Sequence, residues 1–142
     1  MIRHKKDRGF SLVELLLVLA IIGIISGIAI PAFVSQRRRA RVIGDAQSNA
    51  QVLRMQLETY KADSGVYGGA GSTYTWTAGV GPASGVGAAL NFNPKGNSTM
   101  NYKIAVGASG LTYLISVMDP SLGASYVIYT VNQLGSGVIT KY

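Results

Sequence analysis

The chain contains no cysteine and only one histidine, His4. Without cysteine there can be no disulfide framework, no thiolate metal site and no thiol nucleophile. His4 sits in a short basic tail, so a chain that loses this tail also loses His-based proton transfer. Acids are scarce as well, with six Asp and Glu against 13 Lys and Arg and a net charge of +7. Catalytic residues, a metal ion and a cofactor are therefore not expected, and the chain does not read as an enzyme.

What the sequence does have is a long apolar run near its start. Residues 1–9 carry Arg3, Lys5, Lys6 and Arg8 against Asp7, and they read as a basic leader of the kind that targets a chain rather than folds. From Ser11 to Val34 the residues are helix-compatible and almost uniformly apolar. At ~1.5 Å per residue, 20-odd residues cross a ~30 Å hydrocarbon core, so residues 10–34 are expected to span a membrane. One acid, Glu14, stands at the mouth of this run. An intramembrane charge costs about 2.5–3.5 kcal/mol on insertion scales, so it calls for a partner. Ser11-Leu-Val-Glu14 also spells a capping box, with Phe10 and Leu15 as its hydrophobic staple, which gives Glu14 a second use within one chain. Gly23 and Gly27 form a GxxxG pair suited to close helix approach, and Gly27 lies one turn before Pro31. Pro31 withholds an N–H from the Gly27 carbonyl, so a kink is expected there rather than a helix end.

Beyond the proline the period remains helical. Ala40, Ile43, Ala46, Ala50, Leu53, Leu57 and Tyr60 recur at spacings of three and four, with Arg41, Asp45, Ser48, Arg54 and Glu58 on the opposite face. One helix from about residue 11 to 62 is expected, its second half (35–63) amphipathic and ended by Asp63-Ser64-Gly65. Arg37, Arg38, Arg39 and Arg41 step around it as a collar, a shape that suits lipid headgroups better than a nucleic-acid groove. Arg41–Asp45 and Arg54–Glu58 are i,i+4 pairs of the weak surface kind. Residues 64–98 hold nine of the 18 glycines and read as a connecting loop, with a short strand at Tyr74-Thr75-Trp76 and a short helix at Ala83 to Leu90. From Asn101 the period becomes two, over 101–106, 111–118, 125–131 and 138–141, with turn residues between. The fold class is therefore α+β: a long N-terminal helix, first half transmembrane and kinked near Pro31, packed on an antiparallel sheet of about four strands at 99–142. The eight tyrosines are expected to be mostly packing residues.

Lys5-Lys-Asp-Arg-Gly9-Phe10-Ser-Leu-Val-Glu14-Leu-Leu16, followed by the apolar run to Ile30-Pro31-Ala-Phe33, resembles the class III signal of type IV pilins and pseudopilins. The resemblance covers about the first 35 residues, and the helix-then-sheet layout agrees with the pilin fold over the remainder. It implies cleavage by prepilin peptidase between Gly9 and Phe10, N-methylation of the freed Phe10 amine, and pairing of Glu14 with the Phe10 amine of a neighbouring subunit. Residues 12–34 would then bundle as the core of a helical homo-oligomer. An inner-membrane assembly platform and its ATPase would be partners, along with membrane lipid; nucleic acid is not an expected partner. The subunit would wait in the inner membrane and end in a pilus on the cell surface, or in the periplasm if it is a pseudopilin of type II secretion or competence. Two departures stand out: many pilins close their C-terminal region with a disulfide, and major secretion pseudopilins often bind calcium there. Here there is no cysteine, and Asp119 is the one acid after Asp63.

Two readings from other classes remain open at this level. One is a single-pass anchored binding domain that never polymerises, with Glu14 as a cap and residues 64–98 as a ligand loop. The other takes Gly27-Ile-Ala29 as a site for ordinary signal peptidase and releases residues 30–142 as a secreted domain.

Overall fold

The computed structural model describes residues 9–82, 90–96, 99–123 and 125–140. The leader up to Arg8 and the helix expected over 83–90, apart from Leu90, lie outside the described residues. One helix, α1 (Leu12–Ser64, 53 residues), is followed by β1 (Thr73–Thr77), β2 (Gly81–Pro82), β3 (Asn101–Val106), β4 (Tyr113–Met118), β5 (Val127–Asn132) and β6 (Gly137–Ile139). The residues fall into two compact units, one up to Arg38 and one from Arg39 on.

In the first unit α1 is helical on both sides of Pro31, and no apolar side chain among its described residues is buried. In the second unit the chain folds on itself. The sheet is antiparallel throughout, in the order β2-β1-β3-β4-β5-β6. The four expected strands are β3 to β6; β1, the alternating Thr-Tyr-Thr-Trp-Thr segment, and the two-residue β2 extend the sheet past them. Register follows the period of two, with Tyr102, Ile104 and Val106 opposite Val117, Ile115 and Tyr113 on the inner face. A shift between Val117 and Met118 leaves Ile128 extra on β5, so that both Ile128 and Tyr129 are buried.

The buried face of α1 is Val42, Ala46, Asn49, Ala50, Leu53 and Leu57. This corrects the expected stripe at its start. Val42 takes the inward place expected of Ile43, one residue or about 100° away, while Ala40 is exposed and Tyr60 only partly buried. The other correction is Asn49, a polar residue inside the apolar face and only 3% exposed. Its amide is fully engaged: Oδ1 accepts from the Lys95 N–H at 2.9 Å, and Nδ2 donates to the Lys95 carbonyl at 2.8 Å and to the Tyr102 hydroxyl at 3.0 Å. A buried amide paired in this way costs little, which is why the position tolerates it.

The same bonds fix the far end of the glycine-rich segment to the helix. Beside Lys95, Gly96 (φ 108°) lies so close under Asp45 that a Cβ there would sit 2.5 Å from the Asp45 carboxyl carbon. Leu90 and Phe92 enter the core, and Phe92, Trp76 and Tyr102 pack edge to face at 5.0–6.0 Å. The near end is tied to the β3–β4 turn by Tyr67 N–H to the Gly110 carbonyl (2.9 Å) and Gly71 N–H to the Gly107 carbonyl (3.1 Å). The helix itself stops at Gly65 (φ 81°), whose N–H reaches the Lys61 carbonyl at 2.7 Å, in the left-handed conformation that glycine adopts without strain.

Candidate functional site

The sequence concentrates its candidate residues on α1, and the structure places them as follows. Gly9 and Phe10 precede the helix and are exposed, Phe10 by 86%. Ser11 is the N-cap. Its carbonyl accepts the first helical bond from Leu15 N–H (3.2 Å), and its hydroxyl accepts from Val13 N–H (3.3 Å). Glu14 reaches back, and its Oε2 accepts the Ser11 N–H at 3.0 Å. The capping box is therefore closed within one chain. The hydrophobic staple is not, because Phe10 projects into the open and Leu15 stays 56% exposed.

Behind this cap the helix offers apolar surface on every side. Its most apolar 18-residue window has mean hydropathy 2.7 and no buried residue, and it is the one described helix long and apolar enough to cross a membrane. Burying such a surface gains about 25 cal/mol per Å², so in water the segment would associate with whatever apolar phase is available. Gly23 and Gly27 both face open space within this run. Gly27-Ile-Ala29 lies inside α1. Arg37, Arg38, Arg39 and Arg41 are all exposed and lie just beyond the apolar run.

The i,i+4 pairing of Arg54 with Glu58 is not what the second unit uses. Glu58 accepts from the Tyr67 hydroxyl at 2.8–2.9 Å and from the Tyr113 hydroxyl at 3.2 Å, while Arg54 reaches Gln51 Oε1 at 3.4 Å. Tyr67 and Tyr113 meet edge to face at 4.6 Å, and Lys61 stands over the Tyr67 ring at 4.5 Å. One carboxylate thus joins α1, the start of the connecting segment and β4. Neither this cluster nor the Asn49 amide was singled out from sequence. The available signal was a polar residue at a helical core position, in the case of Asn49, and tyrosines within reach of a helix carboxylate in the other.

Tyr102 ties the core to this chemistry. Burial is the main cause that pushes its phenol up from 10.0 to about 12; the Asp45 charge adds to this and the Asn49 hydrogen bond opposes it. Burial also raises Tyr113 and Tyr67, with the Glu58 carboxylate pushing in the same direction. A group that holds its proton more tightly folded than unfolded contributes fully below the unfolded value and loses that contribution as pH rises toward the folded one. The expected result is a urea midpoint unchanged from pH 7 to 9. Above pH 10 it falls, as unfolding free energy is lost at up to about 1.4 kcal/mol per pH unit for each phenol so held. Unfolding curves across that range, with tyrosinate absorbance followed in parallel, check the window.

Comparison with known proteins adds to this geometry. Residues 4–30 match the family model for the prokaryotic N-terminal methylation motif. The chain is 34% identical over 64 residues to the type IV major pilin protein PilA of Myxococcus xanthus, covering 45% of this chain and 29% of that protein. It is 46% identical over 42 residues to fimbrial protein Q of Moraxella bovis, covering 28% of this chain and 27% of that protein. The matches thus span less than a third of either relative's length. No solved structure matches the chain significantly.

Proposed function

We propose that this type IV pilin-like protein is a structural subunit of a type IV pilus-like filament, made as a membrane-inserted precursor and polymerised through α1. It is a structural protein and not an enzyme. The observation that carries the reading is the methylation motif at residues 4–30, lying in register with an exposed apolar helix that has one acid at its mouth. In this proposal prepilin peptidase cuts between Gly9 and Phe10 on the cytoplasmic side, and the Phe10 amine is then methylated. Gly9 and Phe10 are exposed, with open space where a Cβ of Gly9 would lie, which suits entry into a protease cleft. The precursor and the unassembled pool sit in the inner membrane, with the Arg37–Arg41 collar at the headgroups. An assembly platform with its ATPase then draws subunits into a filament on the cell surface that serves adhesion, motility or DNA uptake.

Mass spectrometry of the cellular protein tests the first step. The expected mature chain begins at N-methylated Phe10, and Gly9→Val is expected to leave at least about nine-tenths of the protein as uncut precursor, because only glycine offers a backbone free of Cβ at the scissile bond. A mature chain beginning at Met1 or Ile30 would sink the proposal. Electron microscopy of sheared surface material then separates this filament from the short periplasmic assembly of a pseudopilin.

One alternative has a specific observation in its favour. The closed capping box gives Glu14 work to do inside a single chain, as a membrane-anchored binding domain that never polymerises would need. The two readings differ over whether Glu14 must carry a charge.

A further inference from the structure

The two edges of the sheet are built differently, and one of them is open. One edge is β2, where Pro82 has no N–H to offer; the other is β6, with which no strand pairs on its far side among the described residues. From Val127 to Thr140 the sequence has no charged residue and no proline. Gly137, Val138 and Ile139 are all exposed, Val138 by 60% and Ile139 by 48%. Edge strands are ordinarily guarded by charge, proline or a covering loop, and among the described residues β6 has none of these. Its polar groups follow from the pairing with β5. Asn132 donates its N–H to the Ser136 carbonyl at 3.3 Å and Thr140 donates to the Ile128 carbonyl at 3.0 Å, with Val138 opposite Thr130 midway between them. Bonded and unbonded pairs alternate in an antiparallel ladder, so Gly137 and Ile139 turn both N–H and carbonyl to the open edge. Ile139 lies opposite Tyr129, whose ring crosses over Gly137: a Cβ there would sit 2.8 Å from the Tyr129 Cζ.

We propose that the open edge of β6 pairs with the same edge of a second copy, antiparallel, about a two-fold axis through Val138. The self-match of the edge is what points to a second copy. In this register Gly137 of each copy stands opposite Ile139 of the other, and every N–H and carbonyl that the two residues turn outward finds a partner. Ile139 of one copy comes down beside the Tyr129 ring of the other, in the space a glycine leaves, so a large side chain meets a small one at both ends. Val138 meets Val138 at the unbonded pair, where side chains approach most closely. No charge is set against a like charge, which a self-pairing edge requires. Other registers match less: centring on Ile139 sets isoleucine on isoleucine and leaves Gly137 without a partner inside β6, and centring on Gly137 does the same to Ile139. A two-fold contact closes on itself and joins copies in pairs. It is therefore distinct from any contact that repeats along a filament, and it stands whether or not the chain polymerises.

The detergent-solubilised full chain tests this, since its lack of cysteine makes an introduced thiol unique. Val138→Cys places two thiols across the axis at Cα atoms about 4.5 Å apart, within disulfide reach. Under mild oxidation it is expected to give a covalent dimer and nothing larger. Thr140→Cys would place its thiols about 14 Å apart and is expected to stay monomeric, as is Val80→Cys, 82% exposed near the opposite edge. In the Val138→Cys chain, Ile139→Pro removes an N–H that faces away from β5 and leaves the ladder within the sheet intact. It is expected to slow dimer formation at least about tenfold, and Ile139→Lys, which keeps the N–H and puts a charge on the edge, to do the same. A Thr140→Cys dimer would show another register and overturn the inference, as would Val80→Cys dimers at the rate of Val138→Cys or a rate that neither Ile139 variant changes. A Val138→Cys chain that stays monomeric would overturn it too and leave the edge to an extended segment of another protein.

Discussion

Glu14→Gln is expected to stop filament assembly while leaving the start of α1 intact. Glutamine keeps an oxygen in the place of Oε2, so it can still accept the Ser11 N–H now held at 3.0 Å, and the capping box admits Gln as readily as Glu. The charge is what disappears. If Phe10 carries a free amine after cleavage, that ammonium enters an apolar bundle with no counter-ion, and removing one member of a buried ion pair costs about 3–5 kcal/mol. The sheared, assembled fraction is therefore expected to fall by about a hundredfold or more at an unchanged membrane pool, since each ~1.4 kcal/mol is a factor of ten. Quantitative immunoblotting of the sheared and membrane fractions reads both. Assembly of Glu14→Gln at the parental level would mean that Glu14 acts as a cap alone, and the anchored single-chain reading would take its place.

Much of the architecture could be read from residue patterns because those patterns are enforced by burial. The alternation over 101–106 and 113–118 survives as the inner-face register, since a slip of one residue would turn Tyr102, Ile104 and Val106 out to solvent. The apolar run from Leu12 was legible for the opposite reason: among the described residues nothing covers it, and it is long and apolar enough to cross a membrane. The capping box was legible because its four residues are contiguous, whereas the staple failed because spacing alone does not hold Phe10 against Leu15.

What escaped sequence reasoning depends on pairs far apart in the chain. Asn49 lies 46 positions from Lys95 and 53 from Tyr102, so no local pattern joins them. Arg54–Glu58 is a good local pair on paper. Yet Glu58 is drawn to Tyr67 and Tyr113, which are 2–3% exposed and whose buried hydroxyls need an acceptor, while the partly exposed Arg54 reaches Gln51 instead. The glycine-rich segment read as a loop because its composition hides what it is tied to. Its two ends are held by distant backbone and side-chain groups, and its middle supplies β1 to the sheet.

Asn49→Leu is expected to be the most damaging near-isosteric change in the folded unit. Leucine fills nearly the same volume and is more apolar, so on packing alone the change at this 3%-exposed position would be neutral or stabilising. Hydrogen bonding reverses the sign. The Lys95 N–H and carbonyl and the Tyr102 hydroxyl all lose their Asn49 partner, and each buried polar group left unmade costs about 1–3 kcal/mol. With the two Lys95 groups only partly buried, the sum comes to about 3–5 kcal/mol, a large fraction of the ~5–15 kcal/mol that stabilises a domain of this size. Freed from the helix at Lys95, the segment that carries Leu90 and Phe92 into the core loosens with it. Trp76, the single tryptophan, packs 6.0 Å from Phe92 and 5.8 Å from Tyr102, so its fluorescence reports the event directly. Urea unfolding of the detergent-solubilised full chain, followed through Trp76, is expected to show the lower midpoint. A Leu variant as stable as the parent would mean that Asn49 fills space and does not latch the segment to α1.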